Sequence, residues 1–90
     1  MARYELRFKP SVARDLRGIL PADVRRILAR IEALCDVPRP PGAEKLSTQE
    51  RYRLRQGDYR ILYSVLDAEV VVEVVKVVKV GHRREVYREP

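Results

Sequence analysis

Four arginines crowd the segment RYRLRQGDYRILY, namely Arg51, Arg53, Arg55 and Arg60, against a single acid, Asp58. Guanidinium groups stay protonated at any working pH and present forked N–H donors to oxyanions, so the chemistry such a cluster suits is that of phosphate. Arg51, Arg53 and Arg55 alternate with Tyr52 and Leu54, as on one face of a strand. Gln56-Gly57-Asp58 is a turn signal, and Arg60 lies just beyond it. With Gln56-Gly57 as a two-residue loop, Arg55 falls opposite Asp58, Leu54 opposite Tyr59 and Arg53 opposite Arg60. Directly opposed cations repel. Either an anion belongs between them, or a three-residue loop changes the pairing and the arginines form a solvated face.

A second group follows near the end of the chain, in GHRREVY: His82, Arg83, Arg84 and Tyr87. Guanidinium for phosphate and an aromatic ring for a splayed base are the side chains RNA recognition uses. The same residues also suit an ordinary exposed tail. His82 has the only imidazole, the side chain whose ordinary pKa fits acid–base work; an exposed turn histidine is its other reading.

The rest of the composition narrows the class. In 90 residues there are 19 Lys+Arg against 13 Asp+Glu, a net charge of +6, and 15 of the cations are arginine. The excess is uneven: residues 51–63 alone carry +3, whereas residues 64–90 balance. The length suits one domain spanning 1–90. One cysteine, Cys35, excludes an internal disulfide, and with one histidine it excludes a four-ligand Cys/His zinc site. No apolar run approaches the ~20 residues of a membrane helix, and MARYELRFKP lacks the apolar core of a signal peptide. A reduced, cytoplasmic, basic domain is expected, with nucleic acid as its first candidate partner and no membrane.

The elements that must position these residues are legible in the periodicity. Tyr4, Leu6 and Phe8 alternate with Arg3, Glu5 and Arg7, predicting a strand that Pro10 ends. Ser11 is read as an N-cap, with Val12, Leu16, Ile19 and Leu20 at helical spacing after it. Pro21 separates this helix from a second, whose stripe is Val24, Ile27, Leu28, Ile31, Leu34 and Cys35. The pair forms a hairpin over residues 11–36. VPRPPG, residues 37–42, is loop, because three prolines remove donors and fix φ. Beyond Lys45-Leu46 the period becomes two. Tyr59, Ile61, Tyr63 and Val65 share one face, Asp67-Ala68 turns the chain, and Glu69–Val80 is a Val-rich strand. The prediction is an α+β domain: an N-terminal strand, a two-helix hairpin, then an antiparallel meander with the helices packed on one face. In the last strand the charged residues break parity, Lys76 against Glu69, Glu73 and Lys79. It carries a bulge near Lys76, or it is buried on both faces over part of its length.

YRLRQGDYRILY, followed by a Val-rich strand and VGHRREVY, resembles the RelE branch of the RelE/ParE toxin superfamily. The order of elements and a KL segment before the Arg strand extend the resemblance over nearly the whole chain. It implies a compact fold of the microbial-RNase type. The implied activity is that of a type II toxin: a metal-independent endoribonuclease with no cofactor, which enters the ribosomal A site and cuts mRNA there. The implied partners are the 70S ribosome, mRNA and a RelB-like antitoxin with an acidic toxin-binding segment, in a toxin–antitoxin hetero-oligomer.

By the same resemblance, the paired basic positions before the hairpin, usually lysines, fall on Arg53 and Arg55. The hairpin arginine falls on Arg60, the arginine after the glycine on Arg83 and the terminal tyrosine on Tyr87. These five form the expected catalytic set, with Lys45, Arg51, Arg84 and His82 as further RNA contacts. Two features depart from the pattern. Arg in place of Lys removes a side chain able to act as a base. A duplicated VVK lengthens the last strand, and an odd insertion reverses the facing of every later residue unless a bulge absorbs it. ParE-type relatives share the fold but poison DNA gyrase without cutting RNA; a toxin inactivated by the insertion and kept as an antitoxin-binding module is the third reading.

Overall fold

The computed structural model describes residues 3–46 and 50–80. In chain order the elements are β1 (Glu5–Phe8), α1 (Pro10–Arg17), α2 (Pro21–Ala33), β2 (Glu44–Lys45), β3 (Arg51–Gln56), β4 (Tyr59–Leu66), a 3-10 turn (Asp67–Glu69) and β5 (Val71–Lys79). One sheet runs β1-β5-β4-β3-β2. The β2–β3, β3–β4 and β4–β5 pairs are antiparallel, whereas β1 lies parallel to β5. The α+β class is as expected, but the sheet is wider than the meander. A two-residue strand such as β2 has no readable period, and the neighbour β1 chooses is a tertiary matter.

Pro10 does more than end β1. It occupies the first turn of α1, where its missing N–H is not needed, and Lys9 is the N-cap, with no side-chain cap bond. Ser11, expected to be the cap, is inside the helix instead. α1 is also shorter than its apolar spacing predicted: it ends at Arg17 with Gly18 after it, leaving Leu20 in the link at 71% exposure. Pro21 opens α2 as predicted.

The helices cover one face of the sheet. Val12, Ile27, Ile31 and Leu34 meet Tyr52 and Leu54 of β3, Ile61, Tyr63 and Val65 of β4, and Val72, Val74 and Val77 of β5. Each fully buried aliphatic side chain in this layer contributes about 1.5–3 kcal/mol through water release. The three β4–β5 pairs Val65–Val72, Tyr63–Val74 and Ile61–Val77 show how the Val-rich strand keeps its facing. Leu62 pairs with Lys76 and Tyr63 with Val74, so Val75 is an extra residue, a bulge beside Lys76. Before it, Val71 and Val72 are both at 0% exposure although they point to opposite faces. Both alternatives therefore hold, on successive stretches of the same strand.

Beyond the end of β1, α1 takes over the edge of β5. Asp15 accepts a hydrogen bond from the Val77 N–H at 3.0 Å, and Ser11 Oγ donates to the Val75 carbonyl at 3.4 Å. The bulge is thus held by side chains rather than left as an open edge.

Candidate functional site

The face of the sheet turned away from the helices carries the arginines. In β3, Arg51, Arg53 and Arg55 alternate with the buried Tyr52 and Leu54, as the period of two required. The loop lies one residue later than the sequence expectation, which moves every partner across the hairpin by two. Gln56 pairs with Tyr59, Arg55 with Arg60, Leu54 with Ile61 and Arg53 with Leu62. The two-residue loop is therefore Gly57-Asp58, not Gln56-Gly57. Gly57 at φ 60 takes the first loop position, where a II′ hairpin turn needs a residue free of Cβ strain. The expected pairs Arg55–Asp58 and Arg53–Arg60 do not form, but a directly opposed cation pair does: Arg55 and Arg60.

These two, with Arg53, Glu44 and Gly42, line an open cleft of about 250 Å³ between β2 and the hairpin. β2 pairs Glu44 with Arg53, which brings the carboxylate onto the Arg53 Nε. Arg55 Nε donates to the Gly57 carbonyl at 2.9 Å, which fixes its stem over the turn. Arg60 is half-buried, and its guanidinium makes no hydrogen bond or ion pair with any other described residue. Three guanidinium groups and one carboxylate leave the cleft a net excess of +2. It can hold and neutralise an oxyanion; its one carboxylate, Glu44, is already engaged by Arg53 Nε.

The other expected contacts divide. Arg51 turns its Nε onto Ser64 Oγ at 2.8 Å, further along the same face and outside the cleft. Lys45 pairs across with Tyr52, on the opposite parity to Arg53, and its ammonium sits 2.9 Å from Glu50. His82, Arg83, Arg84 and Tyr87 lie outside the described residues.

Sequence reasoning passed over Glu44, whose only signal is its place next to Lys45, and a polar network at the far end of β3. There Arg39, from the proline loop, donates to Tyr52 Oη at 2.8 Å and pairs with Glu50 and Asp67. Tyr4 donates to Asp67 at 2.6 Å. Bonds from Arg39, then Lys45 and Tyr52, hold the Glu50 carboxyl down at about 2, and Arg39 followed by Tyr4 lowers Asp67 as well. Tyr63, stacked on Tyr52 at 5.7 Å, donates to the Pro38 carbonyl at 2.8 Å, and burial pushes its phenol up to about 12. This network ties the proline loop to the sheet; no charge in it faces the cleft.

A pair of helices on one face of a five-stranded mixed sheet is the architecture of a class of small toxins. The chain belongs to the family described as the ParE toxin of the type II toxin–antitoxin system parDE, whose family model matches residues 6–87. It is a type II toxin of the RelE/ParE superfamily. A curated relative from Escherichia coli, a putative RelE-like toxin protein, is 26% identical over 94% of this chain and 90% of its own. Among solved structures, a chain of the archaeal RelE–RelB complex of Pyrococcus horikoshii OT3 has 27% identity and a TM-score of 0.77, covering 89% of this chain and 98% of that one. An E. coli RelE mutant bound to an antitoxin RelBc peptide has 29% identity and a TM-score of 0.75, over 99% of this chain and 94% of that one. Isolated E. coli RelE, at 22% identity, covers 94% of this chain and 97% of that one with a TM-score of 0.77, and agrees in fold. No helix among the described residues is long and apolar enough to cross a membrane.

Proposed function

We propose that this toxin is a ribosome-dependent endoribonuclease that cuts mRNA in the A site. The observation that carries the reading is the cleft: Arg55 directly opposite Arg60, with Arg53 beside them and the Arg60 guanidinium paired with no other described residue. A phosphodiester is the ligand that relieves such a pair. In the reaction the 2′-oxygen of one nucleotide attacks the adjacent phosphorus as its proton leaves. The 5′-oxygen of the next nucleotide departs and takes up a proton, giving a 2′,3′-cyclic phosphate and a 5′-OH end. Arg60, with Arg83, holds the phosphate and the charge that develops on it, and Arg53 and Arg55 seat the RNA backbone. Tyr87 orients the nucleophile or stacks on a base. Positioning and charge stabilisation supply the rate, and the protons move without a guanidinium base.

The likeness to toxins solved in complex with RelB supports an antitoxin as the partner in the resting state. The family model favours a second reading, a ParE-like poison of DNA gyrase. Primer-extension mapping of mRNA ends after induction separates the two. Cuts in A-site codons are expected; intact messages with DNA damage would establish the gyrase reading instead.

A further inference from the structure

The strand β5 is written in triplets, Val71-Val72-Glu73, Val74-Val75-Lys76, Val77-Val78-Lys79, then Val80. In the observed register Val72, Val74 and Val77 fill the core face, Val71 is buried on the other face, and Glu73 and Lys76 face outward with it. Consider the strand slid along β4 and β1. A slide of one residue toward its own N-terminus puts Glu73 at the core place of Val72. A slide of two puts Lys76 at the core place of Val74. Each buries an unpaired charge, which folded chains avoid. A slide of three puts Val75, Val77 and Val80 at the three core places and Val74 at the place of Val71. Every buried position receives valine again, and Lys79 replaces Lys76. A slide of three the other way puts Glu69 at the core place of Val72 and is closed.

One position distinguishes the two permitted registers. Glu73 lies in a row across the outer face, flanked by Arg7 of β1 and Ser64 of β4, with Arg51 beyond Ser64. Its carboxylate also faces the Lys9 ammonium at 3.9 Å, and it is largely covered, with 24% of its side chain exposed. The slid strand would put Lys76 there, a cation among Arg7, Lys9 and Arg51. Against this stands the turn that leads into β5. Val70 is a β-branched residue at φ 56, ψ 52, a conformation L side chains rarely adopt. The observed register requires it, and a slide of three would release it by lengthening the turn.

We infer that Glu73 is the register key of β5: its carboxylate holds the observed register against a second, slid one, open once that charge is removed, in which the strand moves along β4 by three residues. That displacement is about 10 Å. It would carry Val80 away from the hairpin, where its N–H now donates to the Asp58 carbonyl at 2.7 Å. The device rests on the fold alone and holds for either reading of the toxin's target.

Oxidative cross-linking reads the register directly, in full-length chain with Cys35→Ala. Cysteines at Leu62 and Lys76 face each other in the observed register; cysteines at Leu62 and Lys79 face each other only in the slid one. Opposed Cα atoms fall within disulfide reach, whereas a three-residue offset does not. With Glu73 intact, the 62–76 pair should close and the 62–79 pair should not. Glu73→Lys should reverse this, and Glu73→Gln should give both products. Cross-linking confined to 62–76 in Glu73→Lys and Glu73→Gln would overturn the inference. So would unfolding of both variants, since a slid register of comparable stability would then not exist. Neither readout depends on RNA or DNA damage.

Discussion

Arg55 and Arg60 stand directly opposite each other across the β3–β4 ladder, two residues from the turn. Like charges in that position cost stability, on a scale of about 0.2–1 kcal/mol for a cross-strand pair. Arg55 is tied back to the Gly57 carbonyl, whereas the Arg60 guanidinium has no other described partner. The two therefore divide their work: one is held, the other is available.

Arg60→Ala should abolish toxicity and slow single-turnover cleavage on programmed ribosomes by ~100–1000-fold, the usual effect of removing one donor to developing charge. Antitoxin binding and thermal stability should change little, because Arg60 is on the face away from the helical core. A variant that cleaves at the parent rate would remove Arg60 from the reaction.

Arg53→Ala or Arg55→Ala should instead weaken RNA or ribosome binding and flatten its salt dependence by about one unit of slope for each phosphate no longer neutralised. Replacement of either by Lys should be tolerated or faster, since an ammonium whose pKa is depressed can lose a proton where a guanidinium cannot. If the Lys variants lose as much single-turnover rate as Arg60→Ala, the division between seating and chemistry is wrong.

Glu44 is paired with the Arg53 guanidinium, so an RNA phosphate that meets Arg53 would have to displace it. Glu44→Gln should tighten RNA binding by about 1.4- to fivefold at low salt, as expected for release of an exposed pair worth ~0.2–1 kcal/mol. Equilibrium titration against a short single-stranded RNA checks this, and unchanged or weaker binding would mean that Arg53 does not meet the backbone.

The network around Arg39 makes stability depend on acid. Glu50 has its carboxyl lowered from 4.5 to about 2, first by Arg39 and then by Lys45, and Asp67 is lowered too. A depressed folded-state pKa contributes stability that is present above the unfolded value and is lost as pH falls through the folded one. Urea midpoints should therefore decline from about pH 4.5 down to about pH 2, and Glu50→Gln should flatten that decline. An identical acid limb in the variant would exclude Glu50 as its source.

Val70→Gly should raise stability by about 0.5–1 kcal/mol, because removing Cβ relieves the left-handed conformation by more than glycine's added freedom in the unfolded chain costs. In a domain of this size that is a rise of several degrees in Tm. A fall in Tm would show that the valine side chain packs there to better effect than its strain costs.

Much of this protein is determined by local pattern. Tyr52 and Leu54 inward with Arg51, Arg53 and Arg55 outward follow from a period of two and the cost of burying guanidinium. Pro21 at the head of α2, the proline loop and the need for a bulge beside Lys76 follow from φ restriction and from charge parity. These are properties a segment has before it meets anything. What only the tertiary structure decided is partnership. Gly57 takes φ 60 as the first loop residue rather than the second, and that choice moved Arg60 from Arg53 to Arg55. Glu44 reached Arg53 because a two-residue strand, too short for any period, found the edge of β3. β1 runs parallel to β5 because the helix pair returns the chain over one face, and Asp15 reaches the Val77 N–H because α1 continues where β1 stops. Register, edge and neighbour are set by the packing of distant segments against each other, and no single stretch of the chain carries that information alone.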